Sequence, residues 1–159
     1  MAAGLVEKTA LISREWEDAP GIHAQAQKLR MRALPLADED AAAYADVLRV
    51  LRAQKDNAPE QRDFELGEAL SRAAELPLLI AQTAADVAEL ADTAAHHGNP
   101  NLRGDAAAAA TLAASAARAA AHLVEINLST APDDPRIQRA AGAVAAAEEA
   151  AARALKDPC

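Results

Sequence analysis

The 159-residue sequence has few of the residues from which β-sheets are built. It contains one tryptophan, one tyrosine and one phenylalanine, so aromatic residues make up only 2% of the chain, and it contains six glycines. Pleated sheet faces depend on β-branched and aromatic side chains, and no short valine- and isoleucine-rich runs alternate with helical patterns. About three residues in ten are instead alanine. These features exclude sheet architectures and predict an all-α fold.

Basic residues and cysteine are scarce too. The chain has 16 lysines and arginines against 24 aspartates and glutamates, which gives a formal net charge of −8. Proteins that bind duplex nucleic acid normally present a basic stripe, so we expect no nucleic-acid partner. The single cysteine, Cys159, is the last residue. It excludes an intramolecular disulfide and favours a reducing compartment.

Long and strongly apolar runs are missing as well. A signal peptide needs such a run near the N-terminus, where Glu7 and Lys8 interrupt the sequence. The least charged stretch, residues 106–124, is mostly alanine and includes Arg118 and His122, whereas a bilayer span needs about 20 strongly apolar residues. We therefore expect a soluble cytoplasmic protein without a membrane partner, built as one domain over residues 1–159.

Four clusters of turn-forming residues divide the chain into five helical segments. They are Asp18-Ala19-Pro20-Gly21, Asp56-Asn57-Ala58-Pro59, His97-Gly98-Asn99-Pro100-Asn101 and Ala131-Pro132-Asp133-Asp134-Pro135. The third, fourth and fifth segments extend over about 60–95, 102–128 and 135–155. Pro77 lies inside the third and predicts a kink, because proline removes a backbone donor and clashes with the carbonyl four residues earlier. The predicted architecture is a bundle of about five helical segments.

Helical periodicity assigns a buried face to three of these segments. The faces are Tyr44, Val47, Leu48 and Leu51 in the second, Gly67, Leu70, Ala74, Pro77, Leu78 and Ala81 in the third, and Leu112, Ala116, Ala119, Leu123 and Ile126 in the fourth. The fourth also has a polar stripe, Thr111, Ser115, Arg118, His122 and Glu125. Alanine faces bury little apolar area per residue, which favours a helix-to-helix homodimer. No heptad pattern is sustained long enough for a coiled coil.

Patterns for metal binding and nucleophilic catalysis are absent. The four histidines are His23, His96, His97 and His122. Adjacent histidines point about 100° apart on a helix, and none of the four follows a glutamate at the three-residue spacing of di-iron bundles. The sequence also has no glycine-rich phosphate loop and no local pattern around a serine nucleophile. We expect neither a metal nor a cofactor.

Acidic residues cluster just before the predicted buried face of the second segment. Asp38 and Asp40 lie in the run Leu36-Ala37-Asp38-Glu39-Asp40. One interpretation is a helix start, with Pro35 near the first position and acids that complement the helix dipole. The other is functional: one carboxylate faces a pocket, where it binds a pair of donors or moves a proton.

Polar residues also flank the fourth segment at both ends. Gly98 is expected to end the third helix, and Asn101 or Asp105 to cap the fourth. However, Asp105 begins the face predicted to be buried, where a carboxylate needs partners, and Asn99 and Asn101 are candidates. At the far end, the amide of Asn127 must be hydrogen-bonded to a neighbouring helix end or to a ligand. Both interpretations stay open for each group.

In order and spacing, these residues resemble the cyclodeaminase/cyclohydrolase family. The family comprises the C-terminal domain of formiminotransferase-cyclodeaminase and the stand-alone methenyltetrahydrofolate cyclohydrolases. The resemblance covers most of the chain. It depends on Leu36-Ala37-Asp38-Glu39-Asp40-Ala41-Ala42-Ala43-Tyr44, Arg62, Leu76-Pro77-Leu78, Gly98-Asn99-Pro100-Asn101 followed by Asp105, and Val124-Glu125-Ile126-Asn127-Leu128.

The resemblance implies a multihelical, usually dimeric domain that binds one-carbon tetrahydrofolates without a metal or redox cofactor. Such a domain either expels ammonia from 5-formiminotetrahydrofolate to close the methenyl bridge, or opens that bridge with water to give 10-formyltetrahydrofolate. Asp38 or Asp40 would then move the proton. The residues that would position the folate are Asn99, Asn101, Asp105 and Asn127. The basic cluster nearest for its glutamate tail is Lys28, Arg30 and Arg32, for which a solvated helix face is the favoured interpretation.

The sequence departs from the family pattern at two places. Family members usually begin with a Pro-Gly-Gly-Gly-Ser-type segment and an alanine-rich helix, and residues 1–6 resemble the middle of that helix. The glycines of such a segment permit close backbone approach to a ligand. Gly104 also stands where a serine is expected before Asp105. These departures favour the alternative, a non-catalytic helical ligand-binding or interaction protein on the same scaffold, whereas the retained aspartates and asparagines favour the enzyme.

Overall fold

The computed structural model describes residues 1–53 and 59–156, which form seven α-helices and no β-strand. The helices are α1 (Ala2–Ile12), α2 (Ala19–Ala33), α3 (Leu36–Ala53), α4 (Pro59–Ala73), α5 (Glu75–His97), α6 (Arg103–Asn127) and α7 (Pro135–Ala154). A short 3-10 turn, Pro100–Leu102, precedes α6. The all-α prediction is confirmed. Residues 56–58 of the second predicted turn and Cys159 lie outside the described residues.

All five predicted segments are helical, and two of them each consist of two helices. The second segment divides at Leu34 and Pro35, between α2 and α3. The third breaks at Ala74, where α4 ends and α5 begins. This break places Pro77 in the first turn of α5, where its missing N–H costs no intrahelical hydrogen bond. The sequence predicted a kink near Pro77 within one helix, whereas the structure divides the segment into two helices at Ala74, three residues earlier.

The centre of the fold is a layer of three helices, α5, α6 and α7, that pack against one another. Helices α1 and α2 cover one side of α5 and α6, and α3 and α4 pair at the edge, next to α5. The core is made almost entirely of alanine, and Ala88, Ala91, Ala109, Ala117 and Ala147 are fully buried. Because alanine has the smallest apolar side chain, these helices approach closely.

The predicted buried face of α6 is wrong. Leu112 and Leu123 are each 44% exposed and Ile126 is 51% exposed, and Ala116 and Ala119 are exposed as well. The buried face is made of Ala106, Ala109, Ala110, Ala113, Ala114, Ala117, Ala120, Ala121 and Val124. The prediction followed the largest apolar side chains, whereas close packing against α5 and α7 places the smallest ones inside.

Of the other two predicted buried faces, one is largely buried and the other is largely exposed. On the third segment, Ala74, Pro77, Leu78 and Ala81 are buried, as predicted. Of the four residues predicted on the buried face of α3, only Val47 is buried, against Ala69 and Ala73 of α4. Exposed positions include Tyr44 and Leu51. Since α3 packs mainly against the short helix α4, it has too little partner surface to cover four residues of one face.

Among the described residues, one helical stretch, Pro100–Asn127, is long and apolar enough to cross a membrane by length and composition. The core helix of a soluble bundle passes the same test, and 44% of the most apolar window of this stretch is buried against the rest of the structure. In this fold the stretch includes α6, which packs against α5 and α7.

The start of α7 is fixed to the break between α4 and α5 by one side chain. Arg136 is 12% exposed, and its guanidinium donates to both carboxylate oxygens of Asp134 at 2.9 and 2.7 Å. It also donates to the Glu75 carboxylate at 2.7 Å, and to the carbonyl and hydroxyl oxygens of Ser71 at 2.7 and 2.8 Å. Asp134 in turn caps α7 by accepting from the backbone N–H of Arg136 at 2.9 Å.

This cluster predicts that stability falls at acidic pH. Hydrogen bonds from the side chain and backbone of Arg136 lower the pKa of Asp134 from 3.8 to about 2. Because the pKa of Asp134 is lower in the folded state, the stabilisation that its ionised carboxylate provides is complete above about pH 4. It is lost as the pH falls towards 2. Urea unfolding of the wild type and Asp134→Asn should therefore give free energies that differ most near neutral pH and converge towards pH 2. A difference that stays constant over this range would contradict the assignment.

Candidate functional site

An apolar cleft of about 520 Å³ opens between the start of α1, the corner between α2 and α3, and the middle of α5 and α6. Its walls include Leu29, Leu36, Ile80, Val87 and Leu112. Most other lining residues are alanines. An apolar cleft with few polar groups is the usual form of a small-molecule site.

The polar groups that line this cleft are already engaged. The Thr83 hydroxyl donates to the carbonyl of Leu79 at 2.7 Å. Arg30 donates from Nε to the carboxylate of Glu7 at 2.6 Å, and this interaction raises the pKa of the Arg30 guanidinium. Because Glu7 is mostly buried, with 14% of its side chain exposed, it fixes the position of the Arg30 charge at the wall.

The two aspartates predicted to move a proton lie at the start of α3, beside the cleft. Leu36 and Ala37 line the cleft, and Asp40 follows them at helical spacings of four and three residues, which places it on the same face of α3. Asp40 is half-buried, whereas Asp38 is exposed. The structure thus distinguishes two carboxylates that the sequence left equivalent.

Asn99 and Asn101 lie elsewhere, in the turn between α5 and α6. The Asn99 side-chain oxygen accepts from the backbone N–H of Asn101 at 3.0 Å, so Asn99 caps the 3-10 turn. Helix α6 begins after Leu102 without a side-chain cap, so the expected cap at Asn101 or Asp105 is wrong. The backbone N–H of Asn99 donates to the hydroxyl of Ser13 at 2.7 Å. Ser13 is buried and anchors the turn to the end of α1.

Asp105 lies in the first turn of α6 and pairs with Lys8 of α1, with 2.5 Å between Nζ and Oδ2. The expectation that the two asparagines would be its partners is wrong. Its side chain is 37% exposed, since the face of α6 on which it lies is open to solvent. A pair this exposed contributes about 0–1 kcal/mol, so a ligand could replace Lys8 at little cost.

Asn127 is far from the other predicted site residues of the same chain. It is the last residue of α6, and 22 residues of α-helix separate it from Asp105, a distance of about 33 Å. Within one chain, the predicted site residues therefore lie in three separate places. These are the start of α3 with Asp38 and Asp40, the turn before α6 with Asn99, Asn101 and Asp105, and the end of α6 with Asn127.

The sequence did not single out the aromatic neighbours of the Asn99 turn. A polar cavity of about 650 Å³ adjoins this turn and is lined by Ser13, Trp16, His97 and Asn99 among others. The rings of Trp16 and His97 lie with their centroids 6.1 Å apart. No local sequence signal indicates this contact, because the connection between α1 and α2 meets the end of α5 only in the tertiary structure. Within residues 1–53 and 59–156, no group of three His, Cys, Asp or Glu side chains is placed to hold a metal ion.

Gly98 is required by the tight docking of this turn, and we expect Gly98→Ala to destabilise the protein by about 1–3 kcal/mol. A Cβ atom at position 98 would lie 2.5 Å from the backbone carbonyl oxygen of Ala94 and 3.1 Å from the Ser13 hydroxyl. The backbone must move to relieve the first contact, which displaces Asn99.

The matched control for this variant is Gly142→Ala in α7. A Cβ at position 142 meets nothing within 4 Å, so the control is expected to stabilise the helix by about 0.5–1 kcal/mol. Urea unfolding of both variants tests the pair of predictions. Equal effects of the two substitutions would show that the turn is not tightly docked.

Comparisons with known proteins agree with this architecture. A sequence model of the formiminotransferase-cyclodeaminase family matches residues 1–146. Among solved structures, formiminotetrahydrofolate cyclodeaminase from Thermotoga maritima is similar, with a TM-score of 0.79 and 26% sequence identity. The match covers 97% of this chain and 79% of that chain. No curated protein matches the sequence significantly. On this evidence, the chain belongs to the formiminotransferase-cyclodeaminase family.

Proposed function

We propose that this protein binds a one-carbon tetrahydrofolate in the cleft beside Asp40 and acts as a formiminotetrahydrofolate cyclodeaminase or a methenyltetrahydrofolate cyclohydrolase. The observation that carries the proposal is membership of the family over residues 1–146. The cleft supports the proposed position, because its apolar walls suit the flat rings of a folate and the half-buried Asp40 lies one turn along α3 from the lining residues Leu36 and Ala37.

Both candidate reactions take place at one amidine-like carbon and need proton transfer. In cyclodeamination, N10 attacks the formimino carbon and loses its proton, and the amino group takes up a proton and leaves as ammonia. In hydrolysis, water adds to the methenyl carbon and gives up both protons as its oxygen becomes the formyl oxygen, the bond from carbon to N5 breaks, one proton passes to N5 and the other is released. A carboxylate near the carbon can accept and return these protons.

We assign the proton-transfer role to the Asp38–Asp40 pair, with Asp40 as the main contributor. Asp40 lies on the cleft side of α3 and is partly shielded from water, whereas Asp38 faces solvent. In this proposal Asn99, Asn101 and Asp105 position the folate. Asn127 lies about 33 Å from Asp105 in its own chain and would reach the same folate only from a partner subunit of the dimer that the family resemblance implies. Neither reaction transfers electrons, so the proposal needs no redox cofactor, and it includes no metal.

For the glutamate tail of the folate, the structure favours one member of the basic cluster. Arg30 lines the cleft, whereas Lys28 is exposed and Arg32 lies 3.7 Å from Asp86 at the surface. Arg30 can receive a tail carboxylate if that carboxylate shares or replaces the hydrogen bond to Glu7. The other two residues fit the interpretation as a solvated helix face.

The test uses the purified 159-residue chain with each substrate. With 5,10-methenyltetrahydrofolate, loss of the methenyl chromophore above a no-protein control indicates hydrolysis. With 5-formiminotetrahydrofolate, gain of that chromophore together with released ammonia indicates cyclodeamination. Saturable folate binding without either reaction would favour the alternative, a non-catalytic ligand-binding protein on the same scaffold. A chain that shows no turnover of either substrate and no saturable folate binding would overturn the proposal.

A further inference from the structure

The apolar cleft has one cation on its wall. Arg30 is the only charged side chain among the described residues that line the cleft, and 40% of this side chain is exposed. Apart from Arg30 and Thr83, the lining residues are apolar. A cavity of this kind suits a ligand that has an apolar body and one group of the opposite charge.

Glu7 holds the Arg30 guanidinium through Nε alone. This nitrogen donates to Oε1 of Glu7 at 2.6 Å. The other four N–H groups of an arginine belong to Nη1 and Nη2, and within residues 1–53 and 59–156 neither of these atoms has a hydrogen-bond partner. A carboxylate can accept from both Nη atoms with its two oxygens. A ligand carboxylate can therefore share Arg30 with Glu7.

The contact with Glu7 also orders Arg30 before any ligand arrives. An arginine side chain that is free in solvent loses rotamer freedom when it binds a ligand, and this loss weakens binding. Glu7 lies in α1 and Arg30 in α2, so the hydrogen bond ties the side chain to a second helix. With only 14% of its side chain exposed, Glu7 is itself held in place.

The neighbouring basic residues of α2 do not extend this site. Lys28 and Arg32 each lie two residues from Arg30, which places them about 160° away around the helix, and neither lines the cleft. Arg32 lies 3.7 Å from Asp86 instead. Since Glu7 offsets the charge of Arg30, a second carboxylate on the ligand finds no further cationic side chain among the described lining residues.

We propose that Arg30 and Glu7 form a site for a single ligand carboxylate, which binds to Nη1 and Nη2 of Arg30, with Glu7 as the positioning residue. The inference rests on the proposed function, in which the ligand is a folate. The carboxylate is then the α-carboxylate of the first glutamate, which stays free when further glutamates are attached through the γ-carboxyl group. The site therefore selects a ligand with this carboxylate but does not select the length of the glutamate chain.

Ligand binding without turnover tests the carboxylate site. The probes are 5-formyltetrahydrofolate and a derivative in which the α-carboxylate is converted to a carboxamide. The wild type should bind the derivative at least about 10-fold more weakly. Arg30→Ala should bind both probes equally, and the matched control Arg32→Ala should discriminate between them as the wild type does. Equal binding of both probes to the wild type would overturn the carboxylate site alone, whereas no saturable binding of either probe would also refute the proposed function.

Replacement of Glu7 tests the positioning role. Glu7→Ala should bind 5-formyltetrahydrofolate about 3- to 10-fold more weakly, because Arg30 must then be ordered at the expense of binding. Its affinity for the carboxamide derivative should not change, which a general distortion of the cleft would alter. The control Asp86→Ala removes the acidic neighbour of Arg32 and should leave both affinities unchanged. An affinity for 5-formyltetrahydrofolate that stays constant or rises in Glu7→Ala would show that Glu7 only offsets charge, and would overturn its positioning role.

The length of the glutamate chain tests the selectivity. The monoglutamate and triglutamate forms of 5-formyltetrahydrofolate should bind the wild type with affinities within about 3-fold of each other, since ion pairs of the added carboxylates at the exposed surface contribute little. Isothermal titration calorimetry with both forms measures this ratio. Binding of the triglutamate that is tighter by about 10-fold or more would show that cations other than Arg30 take part, and would overturn the assignment of a single carboxylate.

Discussion

Replacing Asp40 with asparagine is expected to lower kcat/KM for the methenyl or formimino substrate by about 100- to 10,000-fold, the range that general acid–base groups contribute. Asparagine keeps the size of the side chain, but its amide cannot accept and return a proton near neutral pH. Asp40 is half-buried and follows the cleft residues Leu36 and Ala37 on the same face of α3, which is why the proposal gives it the proton transfer. KM should change much less than kcat, since the substituted group acts on the proton and not on the rings of the folate.

The matched control is Asp38→Asn, two residues earlier in the same helix. It removes the same charge from the same end of α3, but its side chain is exposed. We expect it to retain kcat/KM within about 10-fold of the wild type, which separates proton transfer from a general loss of negative charge at the helix start. A larger loss for Asp38→Asn than for Asp40→Asn would reverse our assignment. Steady-state kinetics with each substrate decides between them.

Replacing Arg136 with alanine is expected to lower the free energy of unfolding by about 2–4 kcal/mol. The side chain donates to Asp134, Glu75 and Ser71, and removal of one partner from a largely buried charged cluster leaves the others without compensation. Loss of the cluster also detaches the start of α7 from the break between α4 and α5. Glu75 is mostly exposed, which keeps the expected loss below that of a fully buried pair.

Two further variants make the Arg136 prediction specific. Arg139→Ala removes the same type of side chain one helical turn later, where it is exposed, and should change stability by no more than about 0.5 kcal/mol. Arg136→Lys keeps the charge but lacks the planar guanidinium that contacts both oxygens of Asp134. Its free energy of unfolding should lie between those of Arg136→Ala and Arg139→Ala. Chemical unfolding of the three variants tests this order. Equal stabilities for Arg136→Ala and Arg139→Ala would show that the cluster is unimportant.

Most helix ends were predictable because they depend on residues close in sequence. The boundaries of α6 and α7 agree with the predicted segments to within one residue. Proline and glycine act on the backbone within one helical turn, so Pro77 and Gly98 gave reliable signals. The division between α2 and α3 was missed, because Leu34 and Pro35 lack the cluster of turn-forming residues that marked the other breaks.

The site was only partly predictable for a different reason. The sequence identifies Asp38, Asp40 and Asp105 as carboxylates near helix starts, but a linear pattern does not show which of them faces a cleft. The partner of Asp105 is Lys8, which is 97 residues away in the chain. The position of Arg30 likewise depends on Glu7, from another helix. Such pairings follow from how α1 docks on α2 and α6.

By itself, the sequence determined that the protein is all-α, where most of its helices begin and end, and which polar residues stand out from the alanine background. Only the tertiary structure decided which face of each helix is buried, and therefore that Leu112, Leu123 and Ile126 of α6 are exposed and that Asp40 rather than Asp38 is half-buried. The physical reason is that helix ends are set by backbone interactions within about four residues. The buried face is set by the distance at which helices pack, and in an alanine-rich core the closest packing favours the smallest side chains over the most apolar ones.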